Sequence, residues 1–140
     1  MFENLEQRCN AIEECYEFML AYAAQGLPGD RGSSSGGTLR DFLTKATDAI
    51  RDLADAYEAA VIEESLEPVE RYRAFLDVLA RDAKDSLAAI DLVTAQPSIS
   101  SQLIDNLNAS IHLRALLTDL FLIDEVVKLR RRTPDAVSSN

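Results

Sequence analysis

Proton transfer, metal binding and nucleophilic attack each need particular residues at particular spacings, and this 140-residue chain offers few: one histidine, two cysteines and a set of carboxylates. A di-iron or zinc site in a helical protein draws on Glu-x-x-His pairs. Here Ala109 stands three residues before His112, so that spacing is missing and only a site built from carboxylates alone is left open. Glu13, Glu14 and Glu17 come nearest to one, but carboxylates are rarely buried unpaired, so the cluster reads as a solvated face. His112 falls away from the apolar stripe through Leu103, Leu107 and Phe121 and reads as structural rather than as a base. Cys9 lies on the apolar seam of the first helix, where a thiol is inert, whereas Cys15 lies off it and is the more reactive candidate of the two, though it too reads as packing. Six positions apart on a helix, the two point about 120° from each other and cannot bridge. No serine or cysteine stands in a nucleophile-elbow context. The chain is expected to be no enzyme and to carry no catalytic residue, metal or cofactor.

Three other groupings carry possible chemistry. Gly32-x-x-x-x-Gly37-Thr38 has the spacing of a phosphate loop but lacks the lysine and follows a helix instead of a strand, so it reads as linker. Tyr16, Tyr57 and Tyr72 sit on or beside helical seams near an alanine-rich stripe; they are the candidate lining of a small-molecule or catalytic pocket, which is the alternative functional reading. Arg130, Arg131 and Arg132 stand where cations suit a helix C-terminus.

The elements that must position these residues follow from the helix breakers. All five glycines lie between Gly26 and Gly37, and Pro68, Pro97 and Pro134 stand far apart. Because glycine and proline disfavour helix interiors by about 1 and 3 kcal/mol, the stretches between them are predicted helical. Apolar residues recur at steps of three and four: Phe2, Leu5, Cys9, Ile12, Tyr16, Met19 and Ala23 in the first stretch, Leu39, Phe42, Ala46, Ala49, Leu53, Ala56 and Ala60 in the second. Tyr72, Phe75, Leu76, Leu79, Ala83, Leu87, Ile90 and Val93 mark the third, which Pro97 ends. The pattern predicts an all-α, antiparallel four-helix bundle with helices at 3–25, 39–65, 68–95 and 100–131. Thr38 and Asp41 are read as a capping box, Pro68 as the first residue of the third helix, and 26–37 as a flexible Gly/Ser-rich loop that leaves open an exchange of helix one between chains. Residues 1–132 are expected to form one domain and 133–140 a polar tail.

Composition narrows the partners. With 24 acidic against 14 basic residues, a net charge of −10 repels nucleic-acid backbones and anionic membranes. No run approaches a membrane span, and the first residues do not resemble a secretory signal, so a cytoplasmic location is expected. The fourth helix, however, is apolar almost all round: Leu116, Leu117, Leu120, Phe121, Leu122, Ile123, Val126 and Val127 point in nearly every direction. A second row on helix one, Ala11, Cys15, Phe18 and Tyr22, adds to it. Excess apolar surface implies a second cover, and the expected one is another copy of the chain meeting Leu113, Leu116, Leu120, Ile123, Val127, Phe18 and Tyr22. The expected function is that of a non-enzymatic acidic helical protein acting through protein–protein contact, as adaptor, assembly chaperone or regulatory partner, and forming a homodimer.

Overall fold

The computed structural model describes residues 2–132, and those residues form an all-helical fold of six helices: α1 (Phe2–Ala24), α2 (Ser34–Ile50), α3 (Leu53–Glu63), α4 (Val69–Thr94), α5 (Ser101–Ala109) and α6 (His112–Arg132). Among the described residues there is no strand. The expected tail at 133–140 and the side chains of Arg131 and Arg132 lie outside the described part.

Six helices replace the four expected because the second and fourth stretches each break once, without glycine or proline. The second breaks at Asp52, which adopts the left-handed conformation (φ 55°) that aspartate tolerates better than most residues. The guanidinium of Arg8 on α1 donates to the carbonyl of Arg51, so the end of α2 is not left without a partner. The fourth breaks at Ile111 (φ 67°), where Ser110 closes α5 by donating its hydroxyl to the Leu107 carbonyl. The first break leaves the burial pattern undisturbed, whereas at the second Ile111, the seam position after Leu107, is exposed and burial resumes at Leu113. Leu39, Leu43, Ala46 and Ile50 pass directly into Leu53, Tyr57 and Ala60, all buried, so one seam crosses the α2–α3 junction at steps of three and four.

The segment between α1 and α2 also corrects the sequence reading. Helix α2 begins at Ser34, so Gly36 and Gly37 are helical, and Thr38 is an interior residue whose hydroxyl donates back to the Ser34 carbonyl, not a cap. Pro68 precedes α4 as its N-cap residue, one position earlier than expected. Residues 25–33 are stitched to the turn between α4 and α5. Leu27 N donates to Ser101 Oγ (2.8 Å) and Leu27 O accepts from Ser101 N (2.9 Å), while Arg31 Nε donates to Pro97 O (3.0 Å). The buried carboxylate of Asp30 accepts from Ile99 N (2.6 Å) and from Arg40 Nε, and Arg40 reaches the carbonyls of Thr94 and Gln96. Gly36 is where loop and helix press closest: a Cβ there would fall on the backbone carbonyl of Asp30. Gly36→Ala is therefore expected to destabilise the fold by about 1 kcal/mol net, overpacking outweighing the gain in helix propensity. Urea unfolding reads this, with Gly37→Ala, where a Cβ meets nothing, as the control expected to be neutral or stabilising.

Within the core, α1 packs against α2 and α5, and α4 against α6 and α3, with further contact of α1 to α6. This arrangement disposes of the apolar excess. Leu113, Leu116, Leu120, Ile123 and Val127 of α6 are all buried inside the single chain, as is Tyr22, whose hydroxyl donates to Ile99 O (2.7 Å). Phe18 is half-buried and stacks on Phe42 at 4.8 Å. A side chain with no accessible surface in one chain has nothing to give a second. The seven expected interface residues are thus interior or near-interior, covered by the chain's own α1, α4 and α5, and the apolar surface left outside on α6 is Phe121, Leu122 and Leu129.

Candidate functional site

Three places on the molecule gather chemistry-bearing side chains. Between α1, α3 and α6, the Tyr57 hydroxyl donates to Asp124 Oδ1 (2.5 Å) and lies 3.2 Å from Cys9 Sγ. Tyr57 is fully buried and its ionisation is pushed up by burial first, then by Cys9 and Asp124. Cys9 is pushed up to about 12, chiefly by burial. Cys15 is completely buried, as a packing residue, and is also raised to about 12 by burial alone. Both thiols should therefore resist a water-soluble disulfide reagent in the native state and react on unfolding. A thiol titration in buffer and in denaturant checks this; labelling of Cys15 at the rate of an exposed cysteine would contradict the burial.

The carboxylates do not converge. Glu14 and Glu17 are exposed, while half-buried Glu13 is raised by burial first, then by Glu17 and Asp124, with Lys128 opposing. Among the described residues no three of the His, Cys, Asp and Glu side chains are grouped so as to hold a metal ion. His112 is exposed at the start of α6. A different acidic pair, invisible in the sequence, joins Asp82 of α4 to Asp119 of α6 across the helix interface. Asp119 is raised to about 7, by burial first and then by its hydrogen bond and charge repulsion with Asp82. Asp119 Oδ2 is shielded from solvent without a partner of its own, so the site favours the protonated form.

The third place is a groove of about 370 Å³ between the start of α4 and the second half of α6. Tyr72, Phe75, Leu122, Ile123 and Val126 give it an apolar lining, and Arg71, Arg130 and Glu67 stand at its edge beside Pro68. The residue types follow from packing: Tyr72 and Ile123 are buried seam residues, and the neighbouring positions 71, 75, 122 and 126 fall on the flanks where the helices diverge. Of the three tyrosines expected to share a pocket, Tyr72 alone lines this groove; Tyr57 is sealed in the core and Tyr16 is half-buried on α1, so they do not form one site. The two arginines are 59 positions apart in the chain, and no spacing rule connects them. No helix among the described residues is long and apolar enough to cross a membrane. Comparison of the chain with protein-family models, with curated proteins and with solved structures finds no match.

Proposed function

We propose that this is a non-enzymatic, acidic helical protein that acts through protein–protein contact, as an adaptor, assembly chaperone or regulatory partner, and that it pairs with a second copy through the outward face of α6. In this reading α2–α3 and α5–α6 serve as two interrupted members of an antiparallel four-membered bundle, and the protein works in the cytoplasm, which suits its two free thiols. The observation that carries the proposal is the adjacent pair Phe121 and Leu122, which leave 56% and 54% of their surface in solvent although the opposite side of α6 is buried in the chain. Large adjoining apolar side chains left outside a folded chain mark contact surfaces.

The charges on the same face favour a second copy as occupant. Arg114 and Glu125 are exposed, eleven positions apart, and therefore within about 20° of one direction on the helix and ~16 Å apart along it. A face with a cation at one end, a carboxylate at the other and an aromatic ring between is complementary to its own antiparallel copy: each Arg114 meets the other chain's Glu125. Sedimentation velocity at high micromolar concentration is expected to give a dimer mass, and Phe121→Glu a monomer of unchanged helicity. Arg114→Glu should weaken the dimer and Glu125→Arg in the same chain restore it. A monomeric wild type refutes the pairing.

A further inference from the structure

We propose that the groove between α4 and α6 is a binding site for a medium-chain acyl carboxylate, its chain lying on Tyr72, Phe75, Ile123 and Val126 and its carboxylate held by Arg71 and Arg130. The groove lies on the slope of α6 that faces α4 and self-association uses the outward face around Phe121; the two surfaces meet at Leu122, which borders both.

Shape decides the class of ligand. The groove holds about 370 Å³, and at ~30 Å³ per water-sized group that is room for about a dozen heavy atoms. A single unbranched chain of that size fits. The lining is apolar apart from its edge, the composition that suits such a chain and gives a polar head one place to go.

Electrostatics decides the head group. The chain carries net charge −10, yet at this groove two guanidiniums face one carboxylate. Glu67 Oε2 accepts from the Val69 amide at the start of α4 (3.3 Å), and with its charge counted the groove still has one cation in excess. Among the described residues neither Arg71 nor Arg130 pairs with an acid. Moreover, Arg130 Nε is shielded from solvent without a hydrogen-bond partner. A guanidinium presents donors in a planar fork that matches a carboxylate, and a buried donor without an acceptor is costly until one arrives. A carboxylate entering beside Arg130 supplies that acceptor. An amine or an alcohol of the same chain length does not supply the charge.

Isothermal titration of the full chain with decanoate, kept below its micelle concentration, tests the proposal against decan-1-ol and decylamine. One decanoate per chain is expected to bind, about tenfold more tightly than decanol, with no binding of decylamine. Arg130→Gln and Arg71→Gln should each weaken decanoate by about tenfold and leave decanol unchanged. Val126→Trp, which fills the groove, should abolish both. Phe121→Glu should bind decanoate as the wild type does, whatever its oligomeric state. Far-ultraviolet circular dichroism establishes that each variant is folded. No saturable decanoate binding, equal affinity for decanol, or undiminished binding in folded Val126→Trp overturns the assignment.

Discussion

Replacing Asp30 with alanine should lower the unfolding free energy by about 3 kcal/mol, the largest single effect expected outside the apolar core. The side chain is 8% exposed and serves two donors at once, the Ile99 amide and Arg40 Nε. Its carboxyl is held below the usual carboxylate range by the Arg40 hydrogen bond first and by the Ile99 amide, against the opposing effect of burial. Removing it leaves a buried amide without an acceptor and a half-buried guanidinium without a counter-charge, and taking one partner from a buried pair costs about 3–5 kcal/mol. The lower end applies because Arg40 retains solvent contact and its bonds to the carbonyls of Thr94 and Gln96. Asp30→Asn should be only partly tolerated, since an amide can still accept from Ile99 but cannot satisfy Arg40 through an acceptor on both oxygens. Arg40→Lys should also lose stability, because one ammonium cannot reach three acceptors spread over a loop and a helix end. Urea denaturation with a double-mutant cycle reads the coupling; a loss under about 1 kcal/mol for Asp30→Ala would mean that the loop contributes little to the fold.

The same carboxylate shows what a sequence can and cannot reveal here. A run such as Gly29-Asp30-Arg31-Gly32-Ser33-Ser34-Ser35-Gly36-Gly37 has the composition of a linker, and the flexible loop was expected on that ground. What orders it is a contact with residues near Pro97, some 66 to 70 positions on, and no local propensity announces a contact of that range. The heptad seams were legible because they depend on steps of three and four within one helix, and Leu5, Cys9, Ile12 and Met19 are buried as those steps require. Cys15 and Tyr22, in the second row of α1, are covered within the chain itself. A stripe wide enough for two neighbours reads identically whether the second neighbour is α5 of the same chain or another molecule. Of the two helix breaks, Asp52 carries a faint signal, because aspartate tolerates the left-handed region. Ile111 carries none, since a β-branched residue there is held by its surroundings rather than by preference.

The groove and the acidic pair were hidden for a related reason. Arg71 and Arg130, or Asp82 and Asp119, become neighbours only when α4 is laid along α6, and each residue by itself reads as an ordinary charge on a helical surface. Pairing a cation with a distant cation, or an acid with an acid, is also the opposite of what charge patterning leads one to expect. Functional surfaces tend to lie where local rules and global arrangement disagree in this way.

The acidic pair yields the second large expectation, a fold that loses stability as the solution becomes alkaline. Asp119 keeps its proton up to about pH 7 in the native state, against 3.8 in the unfolded chain. A group whose folded pKa is raised stabilises fully below its unfolded value, and that contribution disappears as pH rises through the folded value; the window here runs from about 4 to about 7. Glu13, raised by burial, acts in the same direction, whereas Asp30, with a lowered pKa, stabilises above the unfolded value and is lost only in acid below about pH 4. Stability should therefore peak in mildly acidic solution and fall by about 1 kcal/mol between about pH 5 and pH 8, half the linkage that remains between pH 5 and the folded value, because solvent reaches part of the pair and screens it. Asp119→Asn supplies a permanent donor to Asp82, so the variant should match the wild type near pH 5 and exceed it near pH 8. Asp82→Asn should flatten the alkaline limb equally, by removing the charge that faces Asp119. Urea unfolding of the three proteins across this range is the measurement: a wild type equally stable at both ends, or variants that keep its pH dependence, would show that the two carboxyl groups do not share a proton across the α4–α6 interface.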